Sequence, residues 1–283
     1  MKIVTTIADA GAVVQTARQN GKRIGLVPTM GALHAGHGSL IERAVRECGF
    51  TAVSIFVNPT QFGPNEDLAK YPRPFEQDTA YCERLGADLV FAPTPEAMYP
   101  RPQQTWVDVE KLTAGLCGAA RPGHFRGVTT VCAKLFNIVT PDVAYFGQKD
   151  AQQALVIRRM AADLNMPLEI CVCPIVREPD GLAMSSRNRY LSPDERRRAV
   201  CLFHALESCR RRVAEGWRDA GTLIREMRQI IETHGGRIDY VHIVDAETLE
   251  PVETLDAPSL AALAVFFGTT RLIDNCRLDL NPD

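Results

Sequence analysis

Short apolar, β-branched runs alternate with amphipathic stretches from Ile7 to Val172, and that alternation leaves few folds open. The runs Ile24–Val27, Thr51–Val57, Ala87–Ala92, Asp142–Phe146 and Leu168–Val172 read as buried strands. Between them, Ile7–Asn20, Ser39–Cys48, the stretch after Pro74 to Leu85, Val128–Val139 and Ala151–Asn165 space apolar residues at three- and four-residue steps. These read as helices. Strand, helix, strand at this spacing predicts a parallel sheet covered on both faces, a doubly wound α/β architecture. Right-handed crossovers then place the loops after the strands on one edge, where ligands of such sheets bind.

After Val176 the texture changes. Pro193–Gly216 and Ala220–Gly235 read as helices, followed by strands at Ile238–Val244 and Leu260–Phe267. The expectation is a larger α/β domain over residues 1–176 and a smaller α+β domain over 177–283. The smaller domain would carry Met184-Ser185-Ser186-Arg187 at its start.

Composition narrows the function. With 32 Lys and Arg against 34 Asp and Glu the formal charge is −2, so nothing global suggests a nucleic-acid partner. The runs Glu195–Arg198 and Arg210–Arg212 read as solvated helix faces. The apolar run Leu260–Gly268 is about half the roughly 20 residues that span a bilayer. The first twelve residues show no signal-peptide pattern. Nine cysteines without zinc-type pairs read as reduced thiols, so a cytoplasmic protein without disulfides or a structural metal is expected.

Chemistry concentrates after the first of these strands, in Met30-Gly31-Ala32-Leu33-His34-Ala35-Gly36-His37. Glycines and small residues let backbone approach a ligand, and the following helix offers N–H groups and a positive dipole end to phosphate oxygens. Two imidazoles three residues apart can both face that site and stabilise charge building on a phosphate under attack. Phe56-Val57-Asn58-Pro59-Thr60-Gln61-Phe62 and Phe146-Gly147-Gln148-Lys149-Asp150 follow other strands and reach the same edge. Lys149 supplies charge for a triphosphate and Asp150 an acceptor for ribose hydroxyls. The glutamines that follow, Gln152 and Gln153, supply neutral hydrogen-bonding groups for a polar organic acid.

The His-x-Gly-His turn resembles that of the nucleotidylyltransferase superfamily, a Rossmann-like group that includes the class I aminoacyl-tRNA synthetases. Met184–Arg187 resembles its second signature, with Arg187 where Lys is usual. With Arg121–Val128 and Arg271–Asn275, the blocks together resemble the pantothenate synthetase (pantoate–β-alanine ligase) family. The resemblance implies ATP-dependent condensation of pantoate with β-alanine through a pantoyl adenylate, Mg²⁺ accompanying ATP, and a homodimer. It places ATP on Met30–His37, Gly147–Asp150, Val176 and Met184–Arg187. His37 would be the proton donor with His34 its partner, and Lys149 and Arg187 would act on the phosphates. Gln61 would contact pantoate and β-alanine, and Gln153 pantoate. Gly38 and Gln148 depart from the expected pattern, where a larger residue and Glu are common. The rival reading is another His-x-Gly-His nucleotidylyltransferase, with cationic groups rather than Gln61 and Gln153 around a phosphorylated acceptor. A nucleotide sensor or RNA-binding module would need neither both histidines nor Lys149 and Arg187. The Arg121–Arg126 segment is expected as a loop, a candidate lid or anion contact.

Overall fold

Six strands run parallel in one sheet: β1 (Lys2–Val4), β2 (Ile24–Thr29), β3 (Phe50–Ile55), β4 (Leu89–Phe91), β5 (Val143–Gly147) and β6 (Glu169–Cys173). The computed structural model describes residues 1–64, 66–100 and 103–279. The strand order is β1-β4-β3-β2-β5-β6. The chain winds outward from β2 through β3 to β4, then returns to β5 on the other side of β2. The order therefore reverses between β2 and β5, and the loops leaving those two strands flank the crevice where open α/β sheets hold ligands.

Alternation sorts the strand side chains between two faces. Val27, Val53, Ile55, Val143 and Tyr145 pack with Leu40, Ile41 and Ala44 of the helix Ala35–Glu47. Ile24, Leu26, Ala52 and Ala144 point to the other face and have no exposed surface at all. Burial of both faces explains why these strands read as continuous apolar runs, each large side chain contributing about 1.5–3 kcal/mol.

The second sheet is antiparallel, in the order β7 (Arg237–Asp245), β8 (Ser259–Phe267), β9 (Thr270–Leu278). The helices Cys201–Ala214 and Ala220–Thr233 bury Leu202, Leu206, Leu223, Met227 and Ile231 with Val241, Ile243, Leu263, Val265 and Leu272 of this sheet. The chain forms two compact units. The first comprises Met1–Glu110, Arg121–Gln148 and Gln153–Pro174. The second comprises Lys111–Ala120, Lys149–Gln152 and the chain from Ile175.

Several elements differ from their sequence readings. β1 is only three residues long, too short for a periodic signal, and its Ile3 is half exposed at the sheet edge. β9 carries no strand signature in the sequence because Arg271, Asp274 and Asn275 interrupt its apolar pattern. The helix expected from Ser39 begins four residues earlier, at Ala35, because a histidine caps it. The helix expected from Val128 begins at His124, so part of the Arg121–Arg126 segment is helical rather than loop. The expected helix Pro193–Gly216 is two helices, Pro193–Ala199 and Cys201–Ala214; Val200 between them keeps right-handed helical angles.

Candidate active site

The turn between β2 and the helix Ala35–Glu47 is built from strained backbone and a buried carboxylate. Gly31 and Ala32 both have positive φ, +80° and +51°. For Ala32 that costs about 1–2 kcal/mol. Asp78, 3% exposed, offsets the strain by accepting the N–H of Ala32 and of Leu33, each at 2.8 Å. A Cβ on Gly31 would lie 2.9 Å from the same carboxylate. Thr29 adds a further brace, its hydroxyl donating to the Ser54 carbonyl and accepting the Gly31 N–H. The N–H groups of Ala32 and Leu33 are thus engaged within the protein. Sequence reasoning missed Asp78 because nothing local distinguishes one acid in Phe75-Glu76-Gln77-Asp78.

His34 is the N-cap of the helix and His37 lies in its first turn, together forming a capping box made of imidazoles. Nδ1 of His34 accepts the Gly36 N–H at 3.1 Å, and Nδ1 of His37 accepts the His34 N–H at 3.4 Å. Two acceptor Nδ1 atoms assign the neutral-ring proton to Nε2 in both residues. The rings lie 4.1 Å apart, centroid to centroid. Both can therefore act as Nε2–H donors at a helix N-terminus, beside the crevice between β2 and β5. Gly38, one of the two sequence departures, has its side-chain space filled by the Tyr81 hydroxyl.

Gln61 ends a 3-10 turn, Pro59–Gln61, and is buried. Its Nε2 donates to Sδ of Met30 at 3.0 Å, joining two of the expected site segments. Its Oε1 accepts from Nδ2 of Asn58, which is 1% exposed and uses its whole amide. Asn58 Nδ2 donates also to the Gly127 carbonyl, while Oδ1 accepts from Thr60 and from the Tyr99 hydroxyl. The helix His124–Val139 can press onto this turn because residue 127 is glycine; a Cβ there would lie 2.5 Å from the Thr60 carbonyl oxygen. Asn58 stands in the quoted block, but only the packing reveals it as the hub.

The Arg121–Arg126 segment serves the same turn. Arg121 forms a two-pronged ion pair with Glu66 at 2.6 and 2.7 Å and donates to the Gln61 carbonyl at 3.3 Å. Arg121 Nη1 lies 3.0 Å from Nε2 of His124, so that nitrogen accepts and the opposite Nδ1–H donates to the Gln61 carbonyl at 2.8 Å. Burial alone would push the Glu66 carboxyl up, but the hydrogen bonds and charge of Arg121 and a backbone bond at Gly63 hold it below its ordinary value. Arg126 stacks on Trp106. Arg121 and Arg126 are thus held by Glu66 and Trp106.

The remaining expected residues divide between the units. Gly147 ends β5 and Gln148 follows it in the first unit, with Gln153 half-buried on the helix Ala151–Asp163. Its neighbour Gln152 is structural, binding the Leu112 and Gly115 carbonyls and the Cys117 N–H. In the second unit Lys149 and Asp150 lie 4.0 Å apart in the 3-10 turn Gln148–Asp150. Val176 and Met184 are joined by a backbone bond of 3.0 Å. Ser185 then caps a 3-10 turn, Ser186–Tyr190, that carries Arg187. Among the described residues no group of three or more His, Cys, Asp or Glu is placed to hold a metal ion, and no helix is long and apolar enough to cross a membrane.

The sequence model of the pantoate-beta-alanine ligase family matches residues 2–277. The chain is 57% identical to the pantothenate synthetase of Geobacter sulfurreducens over 98% of this chain and 99% of the relative. It is similar to the crystal structure of pantothenate synthetase from Thermus thermophilus, with a TM-score of 0.93, 46% identity and full coverage of both chains. It also resembles the crystal structure of the pantoate-beta-alanine ligase from Francisella tularensis complexed with beta-gamma ATP and beta-alanine. There the TM-score is 0.83 at 33% identity, covering 98% of this chain and 97% of the other. A six-stranded parallel sheet with a small antiparallel sheet, matched over the whole chain by such relatives, leaves one conclusion: the chain belongs to the pantoate–β-alanine ligase family.

Proposed function

We propose that this enzyme condenses pantoate with β-alanine at the expense of ATP, through a pantoyl adenylate. The observation that carries the reading is the imidazole capping box of His34 and His37 at the β2–β5 switch point, with Gln61 fastened to Met30 of the same turn. A pantoate carboxylate oxygen attacks the α-phosphorus of ATP, the bond from that phosphorus to the bridging oxygen breaks, and pyrophosphate leaves. His34 and His37 donate from Nε2 to the phosphate oxygens that gain charge, while Lys149 and Arg187 neutralise the leaving group. The β-alanine amine then attacks the acyl carbon, loses a proton and releases AMP. Gln61 and Gln153 orient the acid without a positive charge that would blunt its carboxylate as nucleophile. Among the described residues Gln153 makes no side-chain hydrogen bond, which suits an amide reserved for substrate.

ATP occupies Met30–His37, Gly147–Asp150, Val176 and Met184–Arg187 in this reading. A domain spanning 1–176 supplies the pantoate contacts and 177–283 the Met184–Arg187 loop. Mg²⁺ would accompany the nucleotide and need few protein ligands, while Asp150, half exposed beside Lys149, would accept from the ribose hydroxyls. The ion supplies charge neutralisation on the phosphates. A reducing cytoplasm suits nine free cysteines, eight of them buried, and burial pushes the thiols of Cys82, Cys132, Cys201 and Cys209 up to about 12. The homodimer is the assembly the family resemblance implies. The test is ATP–pyrophosphate exchange with candidate acids. Exchange should require pantoate and not β-alanine, and AMP should appear when β-alanine is added. Absence of exchange with pantoate would overturn the reading.

A further inference from the structure

Two neighbouring residues of β9 reach the backbone beside two segments that the proposed reading assigns to ATP. Asp274 and Asn275 are 2% and 3% exposed, and as strand neighbours they face opposite ways. The Asp274 carboxylate receives Arg177 as a fork, Nη1 to Oδ2 at 2.7 Å and Nη2 to Oδ1 at 3.1 Å. Oδ1 also accepts the Asn275 N–H at 2.8 Å. Arg177 Nη1 donates in addition to the Gly181 carbonyl at 3.0 Å, and the guanidinium lies over the Phe203 ring.

Arg177 opens a tight hairpin in which it pairs with Ala183 and Met184 bonds back to Val176. The hairpin leads directly into Met184–Arg187, and Asn188 Nδ2 ties the far side to the Ala183 carbonyl at 3.1 Å. On the opposite face of β9, Asn275 Nδ2 donates to the Lys149 carbonyl at 2.9 Å. That bond fixes the backbone from which the Lys149 side chain extends. All these groups belong to the second unit.

A buried ion pair adds little net stability, because desolvation offsets most of its attraction; what a two-pronged pair delivers is fixed geometry. Burial holds the Asp274 carboxyl above its ordinary value, against the pull of the Arg177 fork, the Asn275 N–H and the Lys149 charge. We infer that Asp274 and Asn275 are positioning residues that hold the Met184–Arg187 loop and the Lys149 turn in register from a single strand, so that both charges meet one triphosphate. The inference rests on the proposed assignment of those segments to ATP.

The test compares wild type with Asp274→Asn, Asn275→Ala and Arg177→Lys. KM for ATP is measured by pantoate-dependent pyrophosphate exchange, KM for β-alanine in the full reaction, and folding by thermal melting. Each variant should raise KM for ATP about tenfold and leave KM for β-alanine unchanged. A structural role alone would lower the amount of active enzyme without separating the two substrates. A folded Asn275→Ala enzyme with wild-type KM for ATP, or an equal rise in both KM values, overturns the inference. Wild-type enzyme lacking pantoate-dependent exchange overturns the functional reading instead.

Discussion

Oδ2 of Asp78 accepts the backbone N–H of Ala32 at 2.8 Å across 46 residues of sequence, and its other oxygen takes the N–H of Leu33. The turn that presents the two histidines is therefore held by an acid from a different helix, Phe75–Arg84. Asp78→Ala should leave two buried donors without an acceptor. A loss of about 2–4 kcal/mol in urea denaturation is expected, together with reduced exchange in the remaining folded enzyme. Unchanged stability would show that the turn holds itself.

The capping box separates the structural and chemical roles of the histidines. His34→Asn keeps a side-chain oxygen for the cap, so its melting temperature should stay near wild type while exchange falls. His37→Ala should fold normally and lose about 10²–10³-fold in exchange rate, the effect of removing one donor to developing charge. Retention of near-wild-type rate would remove His37 from the mechanism.

Tyr81 fills the space that a side chain at residue 38 would need. Gly38→Ala should cost about 1–3 kcal/mol by overpacking, and adding Tyr81→Phe should recover part of it, since the hydroxyl is the nearest atom. Purely additive effects in the double-mutant cycle would place the strain elsewhere.

Gly127 lets a helix rest on the Pro59–Gln61 turn. Gly127→Ala pushes against the Thr60–Gln61 backbone, and the turn bearing Gln61 must shift. KM for pantoate should rise more than KM for ATP, which steady-state kinetics with each substrate varied would reveal.

Glu66 is held below its ordinary value in the folded protein. Its contribution to stability is therefore complete above the unfolded value, near 4.5, and is lost as pH falls through the lower folded value. Glu66→Gln should flatten the acid limb of the stability profile and loosen Arg121 and His124 from the Gln61 carbonyl. An unaltered acid limb would rule out the carboxylate as its source.

The parallel sheet was legible because burial on both faces writes each strand as an unbroken apolar run, Ile24–Val27 being one example. The histidine turn was legible because glycine, histidine and a following helix are local features. β9 was not, since Arg271, Asp274 and Asn275 are polar for reasons that lie in other segments. The same holds for Asp78 and Asn58, whose partners sit tens of residues away, apart from Gln61 and Thr60 beside Asn58. Sequence by itself determined most of the larger domain's elements and the chemical groups of its motifs, because periodicity and short motifs depend on neighbours along the chain. Only the tertiary structure decided which polar groups are occupied by the protein and which ring nitrogens carry the proton, because a hydrogen bond is settled by distance in space.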